Sequence, residues 1–132
     1  MSRRYSAKDR RRFQRLELDI TVYYQVSEPL NIRVMVGDKE VEATMLDISA
    51  GGMGLLTDFD IPARSILLIK FTLAKMDKQG QVNFYGPVNI RGEVRYNVLE
   101  DKNRYRLGIR FVKIDRLEQT KITDFVKMTL NP

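Results

Sequence analysis

The chain has 132 residues, 43% hydrophobic and 30% charged, which suits one domain with its own core and lies outside disordered compositions. It has neither cysteine nor histidine. This excludes disulfides, thiolate or imidazole metal sites, and any Ser–His or Cys–His nucleophile. The net charge of +6 is carried by residues 1–15, where Arg3, Arg4, Lys8, Arg10, Arg11, Arg12 and Arg15 face Asp9 alone, while the remaining sequence is neutral. A neutral body with a cationic arm points to an anionic partner.

Residues 1–14 show no apolar periodicity and read as flexible, with 1–9 expected to be an arm and 10–132 the folded domain. From Leu16 the alternation is strict, with Leu16, Leu18, Ile20, Val22 and Tyr24 on one face of a half-buried strand that breaks at Glu28-Pro29. Ile32, Val34 and Val36 alternate into Gly37-Asp38, which predicts a second strand and a two-residue hairpin turn. Val41, Ala43 and Met45 form the inner face of the return strand, and Met53–Leu56 resumes an apolar run.

Ser65–Leu73 is densely apolar and predicts a buried strand, whereas residues 75–87 read as a long polar hairpin loop. Val88–Val98 and Arg104–Val112 predict two further strands joined by Glu100-Asp101-Lys102-Asn103. Asp115 with Glu118 is a capping-box variant opening an amphipathic helix over about 115–129, its apolar half formed by Leu117, Ile122, Phe125, Val126 and Met128. Six or seven short strands and one terminal helix predict a mainly β fold, a small antiparallel barrel capped by that helix.

No apolar run approaches the ~18 residues of a membrane helix. The basic N-terminus lacks the apolar stretch of a secretory signal, so a cytoplasmic protein without membrane insertion is expected. No pair of acids stands out as a catalytic dyad, and the chain is expected not to be an enzyme and to hold no metal or cofactor.

Two short patterns carry the functional signal. Arg11-x-x-x-Arg15 presents two guanidiniums, each able to grip a phosphate or the O6/N7 edge of guanine through paired hydrogen bonds. Asp47-Ile48-Ser49-Ala50-Gly51-Gly52 is an Asp-x-Ser-x-x-Gly turn between strands. Its carboxylate suits the N1–H and exocyclic amine of guanine, and its hydroxyl suits a phosphate or a base. Gly51 and Gly52 permit positive φ and close approach of a flat ligand. The alternative is a turn in which Asp47 and Ser49 cap local amides.

In this order and spacing the two patterns resemble the PilZ domain, a bacterial receptor module for cyclic di-GMP. Tyr105-Arg106-Leu107-Gly108-Ile109-Arg110-Phe111-Val112 also resembles the late strand of that family, and the likeness spans about 10–130. The resemblance implies a six- to seven-stranded PilZ-like barrel with a C-terminal helix. It implies cyclic di-GMP as ligand, with Arg11, Arg15, Asp47, Ser49 and Gly52 at family binding positions and Gly51 beside them. Arg10, just before the first motif arginine, resembles the type that binds a stacked pair of ligands. The implied output is a ligand-driven change in the arm, read by a downstream protein. Two other functions remain open: a ligand-independent protein-interaction module, and a barrel binding single-stranded nucleic acid through the basic arm and Tyr5, Tyr23, Tyr85 and Tyr96. The neutral barrel speaks against nucleic acid as a partner.

Overall fold

The computed structural model of the chain describes residues 16–130. The expected arm over 1–9, its boundary with the domain, and Arg10, Arg11 and Arg15 lie outside the described residues.

Six antiparallel strands form one sheet that closes on itself: β1 (Leu16–Glu28), β2 (Val41–Ser49), β3 (Gly52–Thr57), β4 (Ile66–Met76), β5 (Val82–Asp101) and β6 (Arg104–Val112). The order is β1-β2-β3-β6-β5-β4, with β4 returning to pair with β1. Alternation sends Val22, Tyr24 and Val26 of β1, Ala43 and Met45 of β2, and Leu67, Ile69, Phe71 and Leu73 of β4 into the interior. A barrel of so few strands is filled by side chains and leaves no channel. The apolar run over 65–73 is therefore buried on one face only: Leu68 and Lys70 point outward.

Three expectations need correction. Residues 30–36 form a short helix, α1 (Leu30–Val36), and not a strand. Pro29 caps its start, Gly37 closes it with φ 101° and donates to the Arg33 carbonyl, and Ile32 and Val36, four apart, pack on the core. β1 already pairs with β2 on one side and β4 on the other, so this segment has no free sheet edge to join.

Residues 75–87 are not a long loop: β4 and β5 stay paired out to Met76↔Val82. The Asp77 carboxylate accepts from the amides of Gln79 and Gln81 and ties the short turn between them.

The terminal helix, α2 (Arg116–Leu130), has a different buried face from that expected. Ile122, Phe125 and Val126 are buried, but Leu117 and Met128 are exposed, and Glu118 takes a place on the inner face. Asp115 caps the helix by accepting from the Glu118 amide at 2.9 Å. Glu118 turns towards the barrel, where one oxygen accepts from the Asn89 amide of β5 at 2.6 Å and the other pairs with Lys121 at 2.8 Å.

Inside the barrel, the Tyr24 hydroxyl shares a 2.7 Å hydrogen bond with Thr57. Burial pushes its pKa up to about 12, against the lowering effect of the Thr57 bond. The unfolded value is ~10. Because the folded value is the higher, this phenol contributes stability in full below pH ~10 and loses it as pH rises towards about 12. Tyr24→Phe is expected to flatten that alkaline loss, of order 2 kcal/mol. Denaturant melts at pH 9 and pH 11.5 measure it, and an unchanged pH slope in the variant would contradict it.

Candidate functional site

The Asp-x-Ser-x-x-Gly pattern spans the tight connection between β2 and β3. Local geometry explains much of its composition. Ser49 is buried, and its hydroxyl accepts from the Gly51 amide at 3.3 Å and donates to the Gly52 carbonyl at 3.5 Å. One Asp47 carboxylate oxygen accepts from the Gly54 amide at 2.9 Å. Both motif side chains thus brace the turn they stand on.

The positive φ expected of Gly51 and Gly52 is found at neither. Among the described residues, the glycines with positive φ are Gly37, Gly80 and Gly86. Gly52 is needed for a close approach to β6, since a Cβ there would lie 2.1 Å from the Ile109 carbonyl oxygen. Gly51 anchors the turn to β6 by accepting from the Phe111 amide at 3.0 Å.

Register shows what surrounds the turn. Residues opposite one another in an antiparallel pair share a face of the sheet. Asp47 is opposite Gly54, Gly54 is opposite Gly108, and Gly108 is opposite Tyr96. Met53, Leu55, Leu107 and Ile109 alternate with the two glycines into the core, so this row lies on the barrel's outer surface.

Both of its ends lean over the glycines. A Cβ on Gly54 would sit 3.0 Å from the Asp47 carboxylate, and one on Gly108 would fall 2.0 Å from the Tyr96 ring. Bulges at 45/47 in β2 and 94/96 in β5 bring Asp47 and Tyr96 into the row. The next row holds Ser49, Gly52, Arg110 and Glu93. Arg110 is exposed and makes a 3.4 Å pair with Glu93, an interaction at the surface worth at most about 1 kcal/mol.

Sequence reading missed Gly54, Tyr96 and Arg110 as neighbours of the turn. Single outward glycines between core residues in two strands were the available signal. Of the tyrosines considered for stacking, Tyr23 and Tyr96 are exposed, Tyr85 packs edge-on against Phe125 at 5.5 Å, and Tyr5 lies outside the described residues.

The described chain also begins here. Leu16 is opposite Ile48, and Glu17 is opposite Asp47. Two grooves lie away from this surface, one of about 430 Å³ beside Tyr85 and Met128 and one of about 360 Å³ beside Gln25 and Arg91. No group of three or more acids poised to hold a metal occurs among the described residues. Nor is any helix among them long and apolar enough to cross a membrane.

No sequence among curated proteins matches the chain. Solved structures do. The Bacillus subtilis inhibitor of motility MotI/DgrA is similar with TM-score 0.64 and 15% identity over 92% of this chain and 52% of that one. The cyclic di-GMP-bound PilZ domain of YcgR from Escherichia coli matches with TM-score 0.58 and 17% identity, covering 92% of this chain and 91% of that one. The K. pneumonia MrkH complex with cyclic di-GMP matches with TM-score 0.60 and 18% identity over 92% and 52%. The chain therefore spans about half the length of MotI/DgrA and MrkH, and nearly all of the YcgR domain. At these identities the likeness is one of fold. The family model of the PilZ domain matches residues 9–128, from the basic segment through the barrel and into the terminal helix, and the chain belongs to the PilZ domain family.

Proposed function

We propose that this protein is a cyclic di-GMP receptor, not an enzyme, in which the ligand bridges the arginine arm to the Asp47–Gly52 turn. The observation that carries this reading is the pairing of Leu16 with Ile48 and of Glu17 with Asp47. Arg15 precedes Leu16 in the sequence, and these pairings put the start of the described chain beside the acidic and hydroxyl residues of the turn. The YcgR and MrkH structures solved with cyclic di-GMP support the choice of ligand.

The assigned contacts are guanidinium to phosphate and guanine from Arg11 and Arg15, with Arg10 favouring a stacked pair of ligands. Carboxylate to guanine comes from Asp47, hydroxyl to phosphate from Ser49, and close backbone approach from Gly51 and Gly52. Charge-assisted hydrogen bonds contribute ~1.5–3 kcal/mol each, and micromolar binding needs about 8 kcal/mol. Four to six such bonds supply ~6–18 kcal/mol, and with guanine stacking added the sum leaves room for ordering a few arm residues at ~1–2 kcal/mol apiece. The output is a change in the arm that a downstream protein reads.

Calorimetric titration with cyclic di-GMP, GMP and a single-stranded oligonucleotide tests the reading. Saturable, roughly micromolar binding of cyclic di-GMP alone is expected. Tight oligonucleotide binding with a steep salt dependence, and none of the dinucleotide, would replace it with a nucleic-acid barrel.

A further inference from the structure

We propose that α1 and the groove beside it form a self-association face, on which two copies of this chain pair about a twofold axis. This pairing does not depend on the cyclic di-GMP reading.

α1 is apolar all round: its sequence is Leu30-Asn31-Ile32-Arg33-Val34-Met35-Val36. Ile32 and Val36 pack on the core. Leu30 and Val34, four apart, stand on the opposite side and are 70% and 71% exposed, and Met35 is 56% exposed. A helix with apolar residues on every face belongs in an interior. Single exposed hydrophobic residues need no explanation, but three on one short helix form a patch. Beside them lies a groove of about 160 Å³ lined by Arg33, Asp38 and Leu68. It shares Gln25 and Leu68 with the groove of about 360 Å³ that runs on to Arg91. Leu68 is exposed there, and Tyr23 is exposed two positions along β1 from Gln25 on the same face.

Apolar knobs and a groove thus stand side by side, and a twofold axis places the knobs of each copy in the groove of the other. Charge selects this occupant. Arg33 pairs with Asp38 and Lys70 with Glu40. Of the remaining charges nearby, Glu28 and Glu42 are balanced by Lys39 and Arg91. A neutral face does not repel its own copy, and it lacks the basic excess that draws a protein onto an anionic membrane. The sequence outside the described residues does not suit the patch. Residues 1–15 hold seven cations and join at Leu16, at the other end of β1 from Pro29, roughly 40 Å away at ~3.3 Å per residue. The exposed apolar side chains amount to roughly 500 Å² per copy, so a pair buries about 1,000 Å², the lower limit of a specific interface. The dimer is therefore weak and concentration-dependent.

Sedimentation equilibrium of the full chain without ligand, from about 10 to 500 µM, tests the pairing in the range expected for so small an interface. Wild type should move from monomer to dimer across that range. Val34→Glu should weaken association at least about 30-fold, because it puts a charge at the centre of the contact. Leu117→Gln, a change to an equally exposed residue on α2, should associate within about 2-fold of wild type. Circular dichroism checks that each variant keeps the fold, which substitutions at such exposed positions leave intact. Wild type that stays monomeric throughout would overturn the proposal, and binding of that monomer to phosphatidylglycerol vesicles would give the face to a membrane instead. A folded Val34→Glu protein that dimerises like wild type, or association lost in Leu117→Gln, would overturn it as well.

Discussion

Gly52→Val is expected to destabilise the protein by about 3 kcal/mol or more, which is roughly 10 °C in Tm. Even Gly52→Ala places a carbon 2.1 Å from the Ile109 carbonyl oxygen, 3.2 Å from its carbon and 3.3 Å from the Arg110 Cα. These are backbone atoms of a paired strand, so no rotamer change relieves the clash. β3 must move off β6, which strains the ladder from Gly52↔Arg110 towards Thr57↔Tyr105. A total stability of about 5–15 kcal/mol leaves little to absorb that.

Gly80→Ala is the control. It carries a φ of 84° but has nothing within 4 Å of the added carbon, so only the backbone penalty of about 1 kcal/mol is expected. Thermal melts of both variants decide the matter, and a Gly52→Ala protein as stable as wild type would contradict the packing account.

That glycine shows where sequence reasoning succeeds and where it stops. The pattern around it was visible as a turn, because Asp, Ser and Gly have local backbone chemistry that short spacing reveals. The reason for Gly52 was not visible, because the clashing atom belongs to Ile109, more than fifty residues away. The barrel and its closing helix were legible, since alternation in Val22–Tyr24–Val26 and Ala43–Met45 is a local signal, as is the Asp115 cap. Residues 30–36 misled because Ile32, Val34 and Val36 fit a period of two as well as Ile32 and Val36 fit a helical step of four. Only the filled sheet edges decide between them. Glu118 was read as a capping partner, and its bond to Asn89 across 29 positions could not be seen from the helix alone. The Asp47–Gly54–Gly108–Tyr96 row depends on three registers and two bulges, none of which the sequence states.

Asp47→Ala is expected to weaken cyclic di-GMP binding by about 10²- to 10⁴-fold. In the proposed complex the carboxylate accepts two charge-assisted bonds from one guanine, at ~1.5–3 kcal/mol each, and each 1.4 kcal/mol is about tenfold in Kd. Asp47 also accepts from the Gly54 amide at 2.9 Å, so its removal costs some stability of the turn. Asp47→Asn separates the two roles. Its side-chain oxygen can still accept from Gly54, so Tm should stay within about 2 °C. Its amide nitrogen replaces one acceptor with a donor and removes the charge, so affinity should still fall at least about 30-fold. Calorimetry beside a melting curve reads both. An Asp47→Asn protein that binds like wild type would remove guanine recognition from this carboxylate.

The proposed receptor function requires one ligand to join the arm to the turn. Titration of the Arg15→Ala protein with cyclic di-GMP, beside wild type, tests it most directly. Loss of at least about two orders of magnitude in Kd with an unchanged melting temperature is predicted, since the guanidinium supplies paired phosphate or base contacts. Wild-type affinity surviving in Arg15→Ala would contradict it.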